Sequence, residues 1–126
     1  MSLLDLESIQ EEVLRHGEFK TINVLVRPGK WSGRGQVPAV MFLTKETMFY
    51  GGSQATKGKF NRIPLKSVNK VSVVGKLFLK CVEVEYMSLG GLKKIYFCPF
   101  TGEPHQPSID EEKTRELYDT IKKALE

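Results

Sequence analysis

The sequence predicts a single domain over residues 1–126, mainly β and of the α+β class, with a helix at each end. The length of 126 residues suits one domain with a sizeable core. Apolar residues recur at three- and four-residue spacing over 3–16 and 108–125, as on one face of a helix. Between them, over 19–99, short segments alternate with a period of two and are separated by turn residues, which is typical of β-hairpins.

The N-terminal helix is predicted to end at Gly17. Its apolar stripe consists of Leu3, Leu6, Ile9, Val13 and Leu14. Anionic lipid would repel the acidic side chains of its polar face, which include Glu11 and Glu12. We therefore expect the stripe to cover a sheet face of its own chain. The alternative is a homo-oligomer formed through this helix.

Six or seven strands are predicted between the helices. The first ends near Pro28, and a hairpin follows with strands at 39–43 and 48–50 around a turn at 44–47. A further strand region runs from Ile63 to Val73, with Pro64 near its start, where a missing N–H is least costly.

The last hairpin, 77–87 and 92–98, is predicted residue by residue. With Leu89-Gly90 as the turn, apolar residues pair on one face, Val84 with Ile95 and Val82 with Phe97. The other face pairs Glu85 with Lys94, Glu83 with Tyr96 and Cys81 with Cys98. A Gly90-Gly91 turn is the alternative, and it changes the register but leaves every residue on the same face.

The closing helix is predicted to start with a capping box, Ser108 as the cap and Glu111 three residues later. Leu117, Ile121 and Leu125 follow at four-residue spacing and form its apolar face. We expect these three side chains to insert into the core, where each contributes about 1.5 to 3 kcal/mol.

Charge is distributed unevenly along the chain. Residues 19–82 contain 12 basic side chains and one acidic, Glu46, whereas the rest contains 7 basic and 14 acidic. This segregation predicts a positive surface on the middle of the fold. The alternative is that the two signs complement each other within the domain.

The sequence contains few residues suited to catalysis or to metal binding. The two histidines and two cysteines lack the paired short spacing of zinc ligands, and Gly29-Lys30-Trp31-Ser32-Gly33-Arg34-Gly35 lacks the spacing of a phosphate-binding P-loop. We therefore predict no enzyme, no catalytic residue, no metal site and no cofactor.

The cellular setting is predicted to be the cytoplasm, with peripheral attachment at a membrane if the chain binds lipid. Its apolar runs reach about five residues, against the roughly 20 that a membrane helix needs. Nothing at the start of the chain has the pattern of a secretory signal. In a reducing compartment Cys81 and Cys98 are expected to be two free thiols rather than a redox pair.

Two basic segments are the best candidates for a binding site. The candidate residues are Arg27, Lys30, Trp31 and Arg34 in the first, and Lys57, Lys59 and Arg62 in the second. An exposed tryptophan among cations suits a membrane interface, where the ring is amphipathic and the cations meet anionic headgroups. The alternative for Trp31 is that it folds back over the open end of the sheet.

Two stretches resemble the pleckstrin-homology (PH)-like superfamily, in particular its bacterial PH and GRAM-like branch. Residues 41–50 (MFLTKETMFY) are similar to a hairpin of that group, and residues 63–71 (IPLKSVNKV) to the I-P-L-x-x-I-x-x-V stretch that often follows it. The resemblance implies a seven-stranded bent barrel closed at one end by the C-terminal helix, with the N-terminal helix as an addition. It also implies a non-enzymatic role: binding of anionic lipid headgroups, binding of an acidic protein partner, or self-assembly.

A barrel of the OB or Sm type is the alternative fold, and it would bind nucleic acid. Basic segments with Trp31, Phe49, Tyr50 and Phe60 nearby could form a track on which bases stack. These aromatic residues fall mostly at strand positions that also suit the core, so nucleic acid is the less favoured partner.

Overall fold

A computed structural model describes residues 5–15, 17–28, 37–52, 58–76, 79–103 and 108–126. Two helices flank a set of antiparallel strands, so the predicted mainly β, α+β class is confirmed. The elements are α1 (Leu6–Arg15), β1 (Lys20–Pro28), β2 (Val37–Leu43), β3 (Thr47–Gly51), β4 (Phe60–Pro64), a 3₁₀ turn (Leu65–Ser67), β5 (Val68–Lys76), β6 (Leu79–Ser88), β7 (Gly91–Thr101), β8 (Ser108–Ile109) and α2 (Glu111–Leu125).

Seven strands form one continuous sheet in the order β4-β3-β2-β1-β7-β6-β5, and the two-residue β8 pairs with β7. Residues of all seven strands meet in one buried cluster, so the sheet curves around its apolar face. The fully buried members include Met41, Met48, Val82 and Phe97. Strands such as β3, with Met48 in this cluster and Phe49 in a second one, bury residues on both faces.

The predicted register of the last hairpin is confirmed. Val84 pairs with Ile95, Glu85 pairs with Lys94, and Ser88 pairs with Gly91, so Leu89-Gly90 is the turn. Gly91 has a φ of +106°, in the region that favours glycine. The Gly90-Gly91 alternative is therefore wrong.

The predicted strand region from Ile63 to Val73 is two strands. β4 ends at Pro64, and the 3₁₀ turn separates it from β5, which pairs with β6. The hydroxyl of Ser67 donates to the carbonyl oxygen of Pro64 at 2.7 Å, and the N–H of Leu65 donates to the carbonyl oxygen of Glu46 at 2.8 Å. These bonds stabilise a turn that apolar spacing alone does not reveal.

Helix α1 packs on the outer face of its own sheet, which is the face opposite the main core, the buried cluster that all seven strands share. Ile9 and Val13 are buried against Phe49 and Phe60, in a cluster separate from the main core. The carboxylate of Asp5 accepts a hydrogen bond from the N–H of Ser8 at 2.8 Å, and this bond is the largest cause that lowers the pKa of Asp5. Within the predicted stripe Leu14 is exposed, and Leu3 lies outside the described residues.

Helix α2 closes the main core, but its start differs from the prediction. Ser108 lies in β8, and the cap is Asp110, whose carboxylate accepts a hydrogen bond from the N–H of Lys113 at 3.0 Å. The predicted Ser108 capping box is wrong because pairing with β7 holds Ser108 in an extended conformation. Leu117 and Ile121 are fully buried in the core, whereas Leu125 in the last turn is 40% exposed.

Cys81 and Cys98 form a disulfide, so the expectation of two free thiols is wrong. They lie directly opposite each other on β6 and β7, with 4.4 Å between their Cα atoms. That distance is typical of a non-hydrogen-bonded antiparallel pair, which brings two side chains close together. Both residues are buried with Leu25 and Phe100 in a third cluster on the outer face of the sheet.

Candidate functional site

Most of the predicted site residues belong to connections at one end of the sheet, where strands begin or stop. We use the word edge for this end and not for an outermost strand. Because neighbouring strands are antiparallel, β1 ends, β2 begins, β3 ends and β4 begins at the same edge. Pro28 of β1 pairs with Ile95 of β7, so the β6–β7 turn also lies at this edge. We call it the loop edge, defined by the ends of the connections 29–36 and 52–59 and by the β6–β7 turn region 88–94.

All the charged residues in these three stretches are basic. They contain Lys30, Arg34, Lys57, Lys59, Lys93 and Lys94, and not one Asp or Glu. Of the described lysines, Lys59, Lys93 and Lys94 are all exposed. Lys94 lies opposite Glu85 of β6, and Lys59 interacts electrostatically with Asp5, so both have an acidic neighbour outside these stretches. Within the stretches themselves every charged residue is basic, and such a charge pattern attracts anionic surfaces.

Four of the predicted site residues, Lys30, Trp31, Arg34 and Lys57, lie outside the described residues. Lys59 comes directly before β4, and its carbonyl oxygen accepts a hydrogen bond from the N–H of Gly52 at 2.9 Å. That bond draws together the two ends of the β3–β4 connection.

Arg27 is the predicted site residue that precedes the first connection. It lies on the face of β1 that points away from the main core, next to Tyr96 of β7. Its guanidinium carbon lies 4.4 Å from the centre of the Tyr96 ring, within the range of a cation–π contact. The Tyr96 hydroxyl is hydrogen-bonded to Glu83 on β6. Burial is the first cause that raises the pKa of Tyr96, followed by this carboxylate, whereas Arg27 lowers it. Arg27 is thus half-buried in a row of side chains that crosses three strands.

Arg62 does not belong to the loop edge. It lies on the face of β4 that α1 covers, and its Nη1 is 2.8 Å from a carboxylate oxygen of Glu12. The prediction grouped Arg62 with Lys57 and Lys59 because they are near in sequence. The strand carries Arg62 away from the connection, and the acidic face of α1 neutralises it.

Lys93 and Lys94 are the basic residues of this edge that sequence reasoning left out of the site. Both are exposed, and they follow the β6–β7 turn directly. Their position next to a predicted hairpin turn was the feature of the sequence that could have identified them. What was missing was the pairing of β7 with β1, which brings this turn to the same edge as the two basic connections.

A second basic surface lies at the opposite edge of the sheet, around a cavity of about 430 Å³. Its lining includes Lys20, Lys45 and Lys123, with Phe19 and Leu43 as apolar residues. At this surface acidic side chains lie close to the cations. Glu18 also lines the cavity, and Nζ of Lys20 forms an ion pair with Glu116 at 3.5 Å. The loop edge, whose three stretches contain six basic residues and no acidic one in sequence, remains the stronger candidate for an anionic ligand.

In the ranges that the structure describes, no three His, Cys, Asp or Glu residues are grouped to hold a metal ion. Across the same ranges, no helix combines the length and the apolar character needed to cross a membrane.

Comparison with known proteins shows a likeness of fold. No protein-family model and no curated protein matches this sequence. Among solved structures, the chain is similar to the hSac2 domain from the human phosphoinositide phosphatase Sac2, with a TM-score of 0.51 and 14% sequence identity. The match covers 96% of this chain and 85% of that one. The likeness is one of fold. It extends over nearly the whole chain.

Proposed function

We propose that this chain is a PH-like, non-enzymatic binding module that attaches to an anionic membrane surface through its loop edge. The observation that carries the proposal is the charge of that edge: Lys59, Lys93 and Lys94 are exposed there, and the three stretches contain six basic residues in sequence and no acidic one. Strand order and the similarity of residues 41–50 and 63–71 to the PH-like pattern support the choice of module. The solved domain of similar fold belongs to a phosphatase named for phosphoinositides, which are anionic lipids.

Attachment of this kind is electrostatic and moderate in strength. Each basic side chain near an anionic bilayer contributes about 1 kcal/mol, and the attraction decays within a Debye length. We therefore expect reversible binding that weakens as the salt concentration rises.

Vesicle co-sedimentation tests the proposal, with phosphatidylcholine alone and with phosphatidylcholine containing phosphatidylserine, each at low and high salt. The variant Lys93→Glu with Lys94→Glu reverses two charges at the loop edge. Losing two favourable charges at about 1 kcal/mol each weakens binding at least roughly 30-fold. Lys30→Glu with Arg34→Glu tests the first predicted connection in the same way.

The matched control is Lys122→Glu with Lys123→Glu, an adjacent lysine pair in the last turn of α2, which gives the same change of net charge. We expect this control to bind nearly as well as the unmodified chain. Equal losses in both variants would show that net charge alone governs binding, and the loop edge would be rejected. Failure to bind phosphatidylserine vesicles at low salt would overturn the membrane proposal and leave an acidic protein partner as the function to test.

A further inference from the structure

The β6–β7 hairpin ends in an exposed apolar tip. Met87 is 55% exposed, Leu92 is 54% exposed, and Leu89 in the turn is fully exposed at 101%. Single exposed apolar side chains are ordinary on protein surfaces. Three large ones lie within six residues at the turn end of this hairpin, and a concentration of exposed apolar side chains of this kind indicates an interaction site.

The hairpin brings these three side chains to its turn end, with Leu89 fully exposed. Met87 and Leu92 are cross-strand partners, so their side chains leave the same face of the hairpin. Leu89 is the first residue of the two-residue turn and extends beyond both strands. The three side chains thus lie at the turn end of the hairpin, which we call the apolar tip.

The tip is presented on an ordered support. One residue before Met87, Tyr86 is buried in the main core, and its hydroxyl is hydrogen-bonded to Tyr50 of β3. Within the turn, the hydroxyl of Ser88 accepts a hydrogen bond from the N–H of Gly90 at 3.3 Å and donates to the carbonyl oxygen of Gly91 at 3.2 Å. Because the hairpin is anchored on both sides of the tip, burial of the tip requires little further ordering.

The positive charge next to the apolar tip indicates which kind of partner the tip contacts. Lys93 and Lys94 follow Leu92 directly and are exposed, so the apolar tip is bordered by two cations. An amphipathic element with apolar side chains at its end and lysines behind them matches the bilayer interface, where hydrocarbon lies beneath anionic headgroups.

We propose that the tip inserts Met87, Leu89 and Leu92 into the hydrocarbon boundary of an anionic bilayer while Lys93 and Lys94 contact the headgroups. This inference rests on the proposed function and adds to it an apolar, salt-resistant component of binding. Removing the apolar part of Leu89 is expected to weaken vesicle binding about tenfold, and the residual binding should become more sensitive to salt.

Two variants test the insertion on phosphatidylcholine–phosphatidylserine vesicles. Leu89→Ser removes an apolar side chain from the tip, and Leu14→Ser removes one that is 71% exposed on α1 and serves as the matched control. We expect about tenfold weaker binding for Leu89→Ser and unchanged binding for Leu14→Ser. Because Leu89 makes no buried contact, thermal unfolding of the Leu89→Ser variant should match that of the unmodified chain.

Depth of insertion is measured with Leu89→Trp in a Trp31→Phe background. Insertion predicts a blue shift of tryptophan fluorescence on binding and quenching by lipids brominated on their acyl chains. If the chain binds anionic vesicles but Leu89→Ser binds equally well and Leu89→Trp is not quenched, insertion is wrong while the proposed function stands. If no form binds, both are wrong. If light scattering shows a dimer that Leu89→Ser dissociates, the tip is a contact with a second copy and insertion is overturned.

Discussion

Nη1 of Arg62 on β4 lies 2.8 and 3.0 Å from the two carboxylate oxygens of Glu12 on α1, and this ion pair ties the helix to the sheet. The pair borders the apolar contact that Ile9 and Val13 make with Phe49 and Phe60. A partly exposed ion pair of this kind contributes about 0.2 to 1 kcal/mol, so the apolar contact supplies most of the stabilisation. Arg62 therefore has a structural partner rather than a ligand.

The buried face of α1 is expected to be essential for stability. Ile9→Ala removes a fully buried side chain and leaves a cavity against Phe49 and Phe60, which lowers the free energy of unfolding by about 2 to 5 kcal/mol. Leu14→Ala, at a position 71% exposed, should change it by no more than about 0.5 kcal/mol. Urea denaturation of both variants measures the difference. Equal midpoints would contradict the packing of α1 on this sheet.

Helix α2 is expected to depend on its two buried residues and not on the third predicted one. Leu117→Ala should cost about 2 to 5 kcal/mol, since Leu117 is fully buried in the main core. Leu125→Ala should cost clearly less because its side chain is 40% exposed. Thermal melts compare the two, and a chain truncated after Pro107 should lose cooperative unfolding. A truncated chain that melts near the full-length midpoint would show that α2 does not close the core.

Gly51 is expected to tolerate no side chain. A Cβ there would lie 2.2 Å from the carbonyl oxygen of Lys59 and 2.8 Å from the Cα of Phe60, and these backbone atoms cannot move without separating β3 from β4. Its φ of +152° adds strain for any other residue. We expect Gly51→Ala to destabilise the fold measurably, whereas Gly90→Ala meets only the Lys93 side chain at 3.7 Å. Denaturation midpoints that are equal for the two variants would refute the close approach.

Reduction of the Cys81–Cys98 disulfide is expected to destabilise the chain. The bond closes a loop with a sequence separation of 17, for which the chain-entropy model gives about 3 kcal/mol. Thermal melts with and without dithiothreitol measure this contribution. The double variant Cys81→Ala with Cys98→Ala should melt at the same temperature in both conditions. Titration of two thiols in the unreduced, denatured protein would contradict the bond.

Alkaline pH is expected to weaken the fold through Tyr50. Burial is the main cause that raises the pKa of Tyr50 above its ordinary value of 10.0, and the nearby Tyr86 raises it further. Above pH 10.0 the unfolded chain releases this proton while the folded chain retains it, so stability is full below pH 10.0 and falls as the pH rises beyond it. The free energy of unfolding, measured by denaturant on both sides of that pH, should fall less steeply in Tyr50→Phe. Identical slopes would rule out a buried tyrosine hydroxyl at this position.

Local pattern was sufficient for much of the fold and for part of the candidate site. The alternation of Val82 and Val84 against Ile95 and Phe97 predicted the hairpin face by face, since side-chain direction in a strand has a period of two. The stretch before Pro28 predicted β1 for the same reason. The lysines of the connections were visible as well, because a basic segment between strands needs no structure to be recognised.

Other features depended on contacts between residues distant in sequence. The ion pair from Arg62 to Glu12 spans 50 residues, and the cap at Asp110 follows from the pairing of Ser108 with β7. The Cys81–Cys98 bond needed both the hairpin register and the shared burial of the two side chains. The sequence by itself determined both helices, most of the strands and the basic connections, because those properties repeat over a few neighbouring residues. Only the tertiary structure decided that the β6–β7 turn joins the basic connections at one edge, because that depends on β7 pairing with β1 about 70 residues away in the chain.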